Sequence, residues 1–99
     1  MENVQIAKTI LDQLGGNRFM VMTGAKNLVA IDAGVRFRVG QNAKGINMVE
    51  VRLNGRDLYD MRFGRVVAGA FKEKAKVDDV WCDMLQEIFT AETGLYTKL

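Results

Sequence analysis

Val49-Glu50-Val51-Arg52-Leu53-Asn54-Gly55-Arg56-Asp57-Leu58-Tyr59-Asp60-Met61-Arg62-Phe63 is two alternating runs joined at Asn54-Gly55. Asn-Gly between such runs is the strongest short hairpin signal a sequence carries. The pairing across it sets which side of a sheet is core. A two-residue loop would place Val51 beside Leu58 and Val49 beside Asp60, burying a carboxylate in an apolar stripe. An odd-length loop pairs Leu53 with Asp57, Val51 with Tyr59 and Val49 with Met61. A one-residue slip turns every side chain over, so the odd loop is the consistent arrangement. Val49, Val51, Tyr59, Met61 and Phe63 then face inward; Glu50, Arg52, Asp60 and Arg62 face water.

Upstream, Val35 to Val39 alternates in the same way, with Arg36 and Arg38 on the polar side. Gly40 to Gly45 reads as a polar loop. Asn27 to Ile31 is a candidate short strand, followed by a turn at Asp32-Ala33-Gly34. Arg18 to Thr23, apolar on both faces, predicts a doubly covered strand. Before it, Ala7, Ile10, Leu11 and Leu14 recur at helical spacing, predicting a helix over Val4 to Leu14 with Asn3 as N-cap and Gly15 or Gly16 as stop.

Downstream, Ala68 to Lys76 carries Lys72, Lys74 and Lys76 and predicts a mobile basic loop, although Val66 to Phe71 also suits a strand extension. Asp78 to Ala91 predicts a second helix capped by Asp78. Its apolar face is Val80, Trp81, Met84, Leu85, Ile88 and Phe89; Asp79, Asp83 and Glu87 are acidic. Trp81 is expected in the core and Cys82 as a buried, inert thiol. Leu95 to Leu99 is expected to dock back. The sum is a single α+β domain over residues 1–99. It has an N-terminal helix, an antiparallel meander of about four strands and a C-terminal helix, with the helices on one sheet face.

Composition narrows function by subtraction. The chain has 99 residues, 48% of them apolar, with no histidine, no serine and one cysteine. Histidine general bases, histidine-rich or cysteine-rich metal sites and serine nucleophiles are closed. The remaining catalytic reading uses carboxylates such as Asp57 and Asp60; a non-enzymatic protein without cofactor or metal is expected. Gly24-Ala25-Lys26 lacks the glycine before lysine and the hydroxyl after it that a phosphate loop needs, and reads as a tight turn. Met1-Glu2-Asn3 lacks a basic signal-peptide start, and no apolar run is long enough for a membrane span, so a cytoplasmic protein is expected.

Charge is uneven. Residues 1–76 carry thirteen Lys/Arg against seven Asp/Glu; residues 77–99 carry one against five. Arg36, Arg38, Arg52 and Arg62 share the solvent face of the predicted sheet with Glu50 and Asp60. They form either a cationic surface for phosphates or an acidic partner, or a set of cross-strand ion pairs. That face shows no paired aromatics of the kind that stack bases. Lys72, Lys74 and Lys76 extend the basic candidate surface; Asp79, Asp83 and Glu87 form an acidic one.

Gln13-Leu14-Gly15-Gly16-Asn17-Arg18-Phe19 with Met22-Thr23-Gly24-Ala25-Lys26, then Asp57-Leu58-Tyr59-Asp60-Met61-Arg62-Phe63-Gly64, then Phe89-Thr90-Ala91-Glu92-Thr93-Gly94-Leu95-Tyr96 resemble a family of small bacteriophage and prophage proteins. The likeness spans nearly the whole chain. It implies context rather than chemistry, namely a small cytoplasmic protein made from a mobile element in a bacterium. In that context the expected function is binding to a host or phage protein complex, for example as an anti-CRISPR-type defence antagonist. Direct nucleic-acid binding through the arginine face is the alternative. A homodimer is compatible with this reading.

Overall fold

The computed structural model describes residues 2–97. Helices α1 (Glu2–Leu14) and α2 (Gly16–Thr23) come first. Five strands follow: β1 (Lys26–Ile31), β2 (Gly34–Arg38), β3 (Met48–Leu53), β4 (Tyr59–Val67) and β5 (Ala70–Val80). A single 3-10 turn (Cys82–Met84) leads into α3 (Leu85–Thr93). The strands form one antiparallel meander in chain order, β1 and β5 at its edges. The chain is thus an α+β fold with five strands where about four were expected. No helix of the described residues is long and apolar enough to cross a membrane.

The central hairpin has the expected facing in a shifted register. Leu53 pairs with Tyr59, Val51 with Met61 and Val49 with Phe63. The loop is odd, as burial demanded, but runs five residues, Asn54 to Leu58. Asn54 closes it: its Oδ1 accepts the N–H groups of Arg56 and Leu58, and its own N–H donates to the Leu58 carbonyl. Asp57 takes the left-handed turn conformation inside it. On the inner face Phe37 pairs with Val49 and Val35 with Val51, extending the apolar stripe into β2.

Six expectations are corrected. Arg18 to Thr23 is not a strand but lies within α2. Phe19 and Thr23, four apart, are buried while Val21 between them is exposed, a helical stripe that a short doubly apolar run conceals. Gly24, left-handed, ends α2 by donating its N–H to the Met20 carbonyl. Asn3 lies inside α1, and its Oδ1 accepts the Ala33 N–H. The basic segment Ala68 to Lys76 is not a mobile loop: Ala68 and Gly69, both at positive φ, make a two-residue turn into β5. Two register shifts in β5 break the alternation that would have announced it.

Consequently Asp78 lies within β5 instead of capping a helix, and α3 starts seven residues later. Leu85 and Phe89 are buried from α3, whereas Trp81 is 63% exposed and Cys82 is exposed. All three helices lie over the inner face of the sheet. There the rings of Phe19 (α2), Phe37 (β2) and Phe89 (α3) meet edge-on or tilted, with centroids 5.0–6.4 Å apart. The tail docks back through Thr97, whose hydroxyl donates to Gln86 Oε1. Of the segment expected to dock, Lys98 and Leu99 lie outside the described residues.

Candidate functional site: the uncovered sheet face

Alternation sends Arg36, Glu50 and Arg62 to the face the helices do not cover, and the register makes them direct neighbours across β2, β3 and β4. Glu50 is the centre. It is only 4% exposed, roofed by the stems and heads of the arginines around it. Arg36 Nε donates to its Oε2 at 2.9 Å and Arg62 Nη1 to its Oε1 at 3.3 Å. Arg52, two residues along β3, brings Nη2 to 3.6 Å from Oε1 and donates Nη1 to the Asp32 carbonyl. Arg62 also donates Nε to Glu73 Oε1 at 2.6 Å. The Glu73 hydrogen bond is the main cause raising the Arg62 pKa above its usual value; burial opposes this and Glu50 adds to the rise.

Three of the four predicted arginines are therefore drawn together by one carboxylate. The cluster of Arg36, Arg52, Arg62, Glu50 and Glu73 keeps a single net positive charge. Arg38 stands apart: it pairs with Lys26 and Met48 in register and has no ion-pair partner among the described residues. Asp60, expected among the arginines, turns to the hairpin loop. Its Oδ1 accepts from Asn54 Nδ2 and from the Asp79 N–H.

Beside the ionic cluster lies an apolar one that the sequence did not disclose. Phe71 of β5 sits opposite Val66, over Gly64, with the Arg62 guanidinium 5.0 Å from its ring centre. Gly64 is glycine because a Cβ there would run into the Lys72 carbonyl and the Phe71 ring. Met48, Val66, Phe71 and Gly69 join Arg36 and Glu50 around an open concavity of about 310 Å³. Phe71 gives the face a single aromatic ring, not the pair that stacks bases. Reading Ala68 to Lys76 as a loop hid it; the clue was Val66 to Phe71 as a strand extension.

The other candidate groups do not form the surfaces expected of them. Lys76 pairs opposite Arg62, with Nζ 3.7 Å from Asp78 Oδ2, while Lys72 pairs opposite Arg65. Since Lys72 precedes Glu73, which belongs to the arginine face, Lys72 projects to the reverse side. The Lys74 Nζ reaches the loop at Gly45. Asp79 belongs to β5, where it accepts from Asn54 Nδ2 and Arg56 Nη1. Asp83 lies on the 3-10 turn and Glu87 on α3. Those two share a cleft with Gln86, Thr90, Tyr96 and Thr97; Asp79 is not part of it. An acidic helix of all three does not exist. Among the described residues, no three Cys, Asp or Glu side chains are grouped to hold a metal ion.

Comparison with protein-family models, with curated proteins and with solved structures finds no match to this chain.

Proposed function

We propose that the protein is a non-enzymatic binding factor whose uncovered sheet face grips an acidic, partly apolar surface on a protein partner. One observation carries this: a five-stranded sheet leaves a whole face free of helices and places Arg36, Arg52 and Arg62 around Glu50 beside Met48, Val66 and Phe71. Arginine, methionine and aromatic residues are the types enriched in protein interfaces. The Glu50 cluster holds the guanidiniums in a fixed array, which lowers the ordering cost of a partner's approach. The resemblance to small phage proteins supports a partner in a bacterial host or phage complex, with a defence complex of the CRISPR type as the example to try first.

Nucleic-acid binding through this same face has less to work with, because Glu50 already engages three of its four arginines. Carboxylate catalysis has least, because Asp60 is committed to Asn54 and the Asp79 backbone. The test is affinity capture from bacterial lysate with the wild type beside Phe71→Ala and Met48→Ala. A stoichiometric protein partner lost from both variants, with their melting temperatures close to wild type, supports the reading. A partner retained by both overturns it.

A further inference from the structure

The strand register sorts charge along the strand axis, a polarity the linear sequence does not display. The start of β1, the end of β2, the start of β3, Gly64-Arg65 of β4 and Lys72-Glu73 of β5 lie at one end of the sheet. That end bears Lys26, Arg38, Lys44, Arg65, Lys72 and Lys74, with Glu73 turned toward Arg62. The opposite end bears Asp32, Asp57, Asp60, Asp78 and Asp79 against Arg52 and Arg56.

Two features mark the basic end as more than a solvated rim. Lys26 directly faces Arg38, and Arg65 directly faces Lys72, with no carboxylate bridging either pair among the described residues. Like charges directly opposite each other destabilise a sheet, so both pairs cost stability in the free protein. The Arg65 and Lys74 side chains also converge on one point. Arg65 Nη1 lies 3.5 Å from the Gly45 carbonyl, and Lys74 Nζ lies 3.4 Å from where a Gly45 Cβ would be. The loop between β2 and β3 that they flank is held by Asn42, which bonds the Gly40 and Ile46 carbonyls and the Ile46 N–H.

We propose that this end of the sheet binds the phosphate backbone of double-stranded nucleic acid. Five strands span roughly 19 Å at about 4.8 Å per step. A duplex presents one phosphate per ~1.7 Å counting both strands, so about eleven lie within that width and roughly half of them face the protein, enough for four to six contacts with cations that project to both sides of the sheet end. Four of the six are lysines, point charges on mobile stems that suit diffuse phosphates. Gln41, Asn42, Ala43 and Asn47 lie among them, while the apolar Met48, Val66 and Phe71 at this end turn to the arginine face. The loop carries no aromatic ring for stacking unpaired bases, which favours duplex over single strand.

The test is fluorescence anisotropy of the full chain with a labelled duplex of arbitrary sequence across a potassium chloride series. Four to six phosphate contacts predict a log–log slope of about −3.6 to −5.4. Changing Lys44, Lys72 and Lys74 together to serine should make that slope shallower by about 2.7. The circular dichroism melt of this variant should be unchanged, or raised by relief of repulsion. Phe71→Ala, on the adjoining face, should bind duplex as wild type does, which separates this proposal from the protein-binding one. No binding at about 50 mM salt with protein at about 100 μM overturns the proposal. So does a slope unaltered in the triple variant, or displacement by polyglutamate as effective as by unlabelled duplex of equal charge. The last outcome assigns the surface to an acidic protein.

Discussion

Replacing Glu50 by glutamine tests the ionic centre of the uncovered face with almost no change of shape. The carboxylate accepts two charge-assisted hydrogen bonds, from Arg36 at 2.9 Å and Arg62 at 3.3 Å, and attracts Arg52 at 3.6 Å. Hydrogen bonds to charged groups contribute about 1.5–3 kcal/mol each, and removing one partner of a sealed ion pair costs about 3–5 kcal/mol. This pair is not sealed on its cationic side: the three arginine side chains are 42%, 38% and 37% exposed and can turn to water. The glutamine oxygen also keeps one acceptor. The net loss should be about 2 kcal/mol, which lowers the Tm of a chain this size by roughly 8–16 °C. A second signature separates charge from packing. Without the carboxylate, three guanidiniums face each other across neighbouring strands, and salt screens that repulsion. The Glu50→Gln variant should therefore gain Tm between about 0.05 and 1 M potassium chloride relative to wild type. Thermal melts by circular dichroism read both effects. A Tm within about 2 °C of wild type, with the same salt response, would refute the role given to Glu50.

Four further outcomes follow from particular contacts. Gly64→Ala should destabilise by about 1–3 kcal/mol in urea unfolding, because its Cβ meets the Lys72 carbonyl and lies 2.8 Å from Phe71 Cζ. Phe89→Ala should cost about 3–5 kcal/mol by the same assay, since it removes a fully buried ring from the three-ring contact that joins α2, β2 and α3. Trp81→Ser, by contrast, should shift stability by no more than about 0.5 kcal/mol, and the neighbouring Cys82 should react with a thiol reagent in the native state, without denaturant. Burial, joined by the nearby Cys82 charge and opposed by a hydrogen bond from Gln13, raises the Tyr59 pKa above 10.0. The native state then holds the neutral phenol while the unfolded chain ionises first. This contribution is whole below pH 10 and is lost as pH rises from there through the native value, and Tyr59→Phe should remove that part of the alkaline fall in Tm.

The hairpin was legible in its facing because burying Asp60 among valines was the cost of the wrong parity. Its length was not, because Asn54 closes a longer loop with side-chain hydrogen bonds that composition does not reveal. Helix α2 was misread because Phe19-Met20-Val21-Met22 fits either period over so few residues; only the burial of Phe19 and Thr23 around an exposed Val21 resolves it. Strand β5 was hidden twice, by alanine at a left-handed turn position and by two bulges that scramble alternation. Those misreadings carried into the site. Alternation alone places four arginines on one face, but the burial of Glu50 beneath three of them is a tertiary fact. Phe71 was lost with its strand, and the acidic set dissolved once Asp79 became part of β5.

The proposed protein partner should rest on the face around Met48 and Phe71. Site-specific photocrosslinking tests it most directly, with a benzophenone amino acid placed at Met48 or, as the control, at the exposed Lys8 of α1. Irradiated in bacterial cells, the Met48 position should yield a discrete covalent adduct to another protein, and the Lys8 position should not. No adduct from Met48, or an equal one from Lys8, would rule out that docking face.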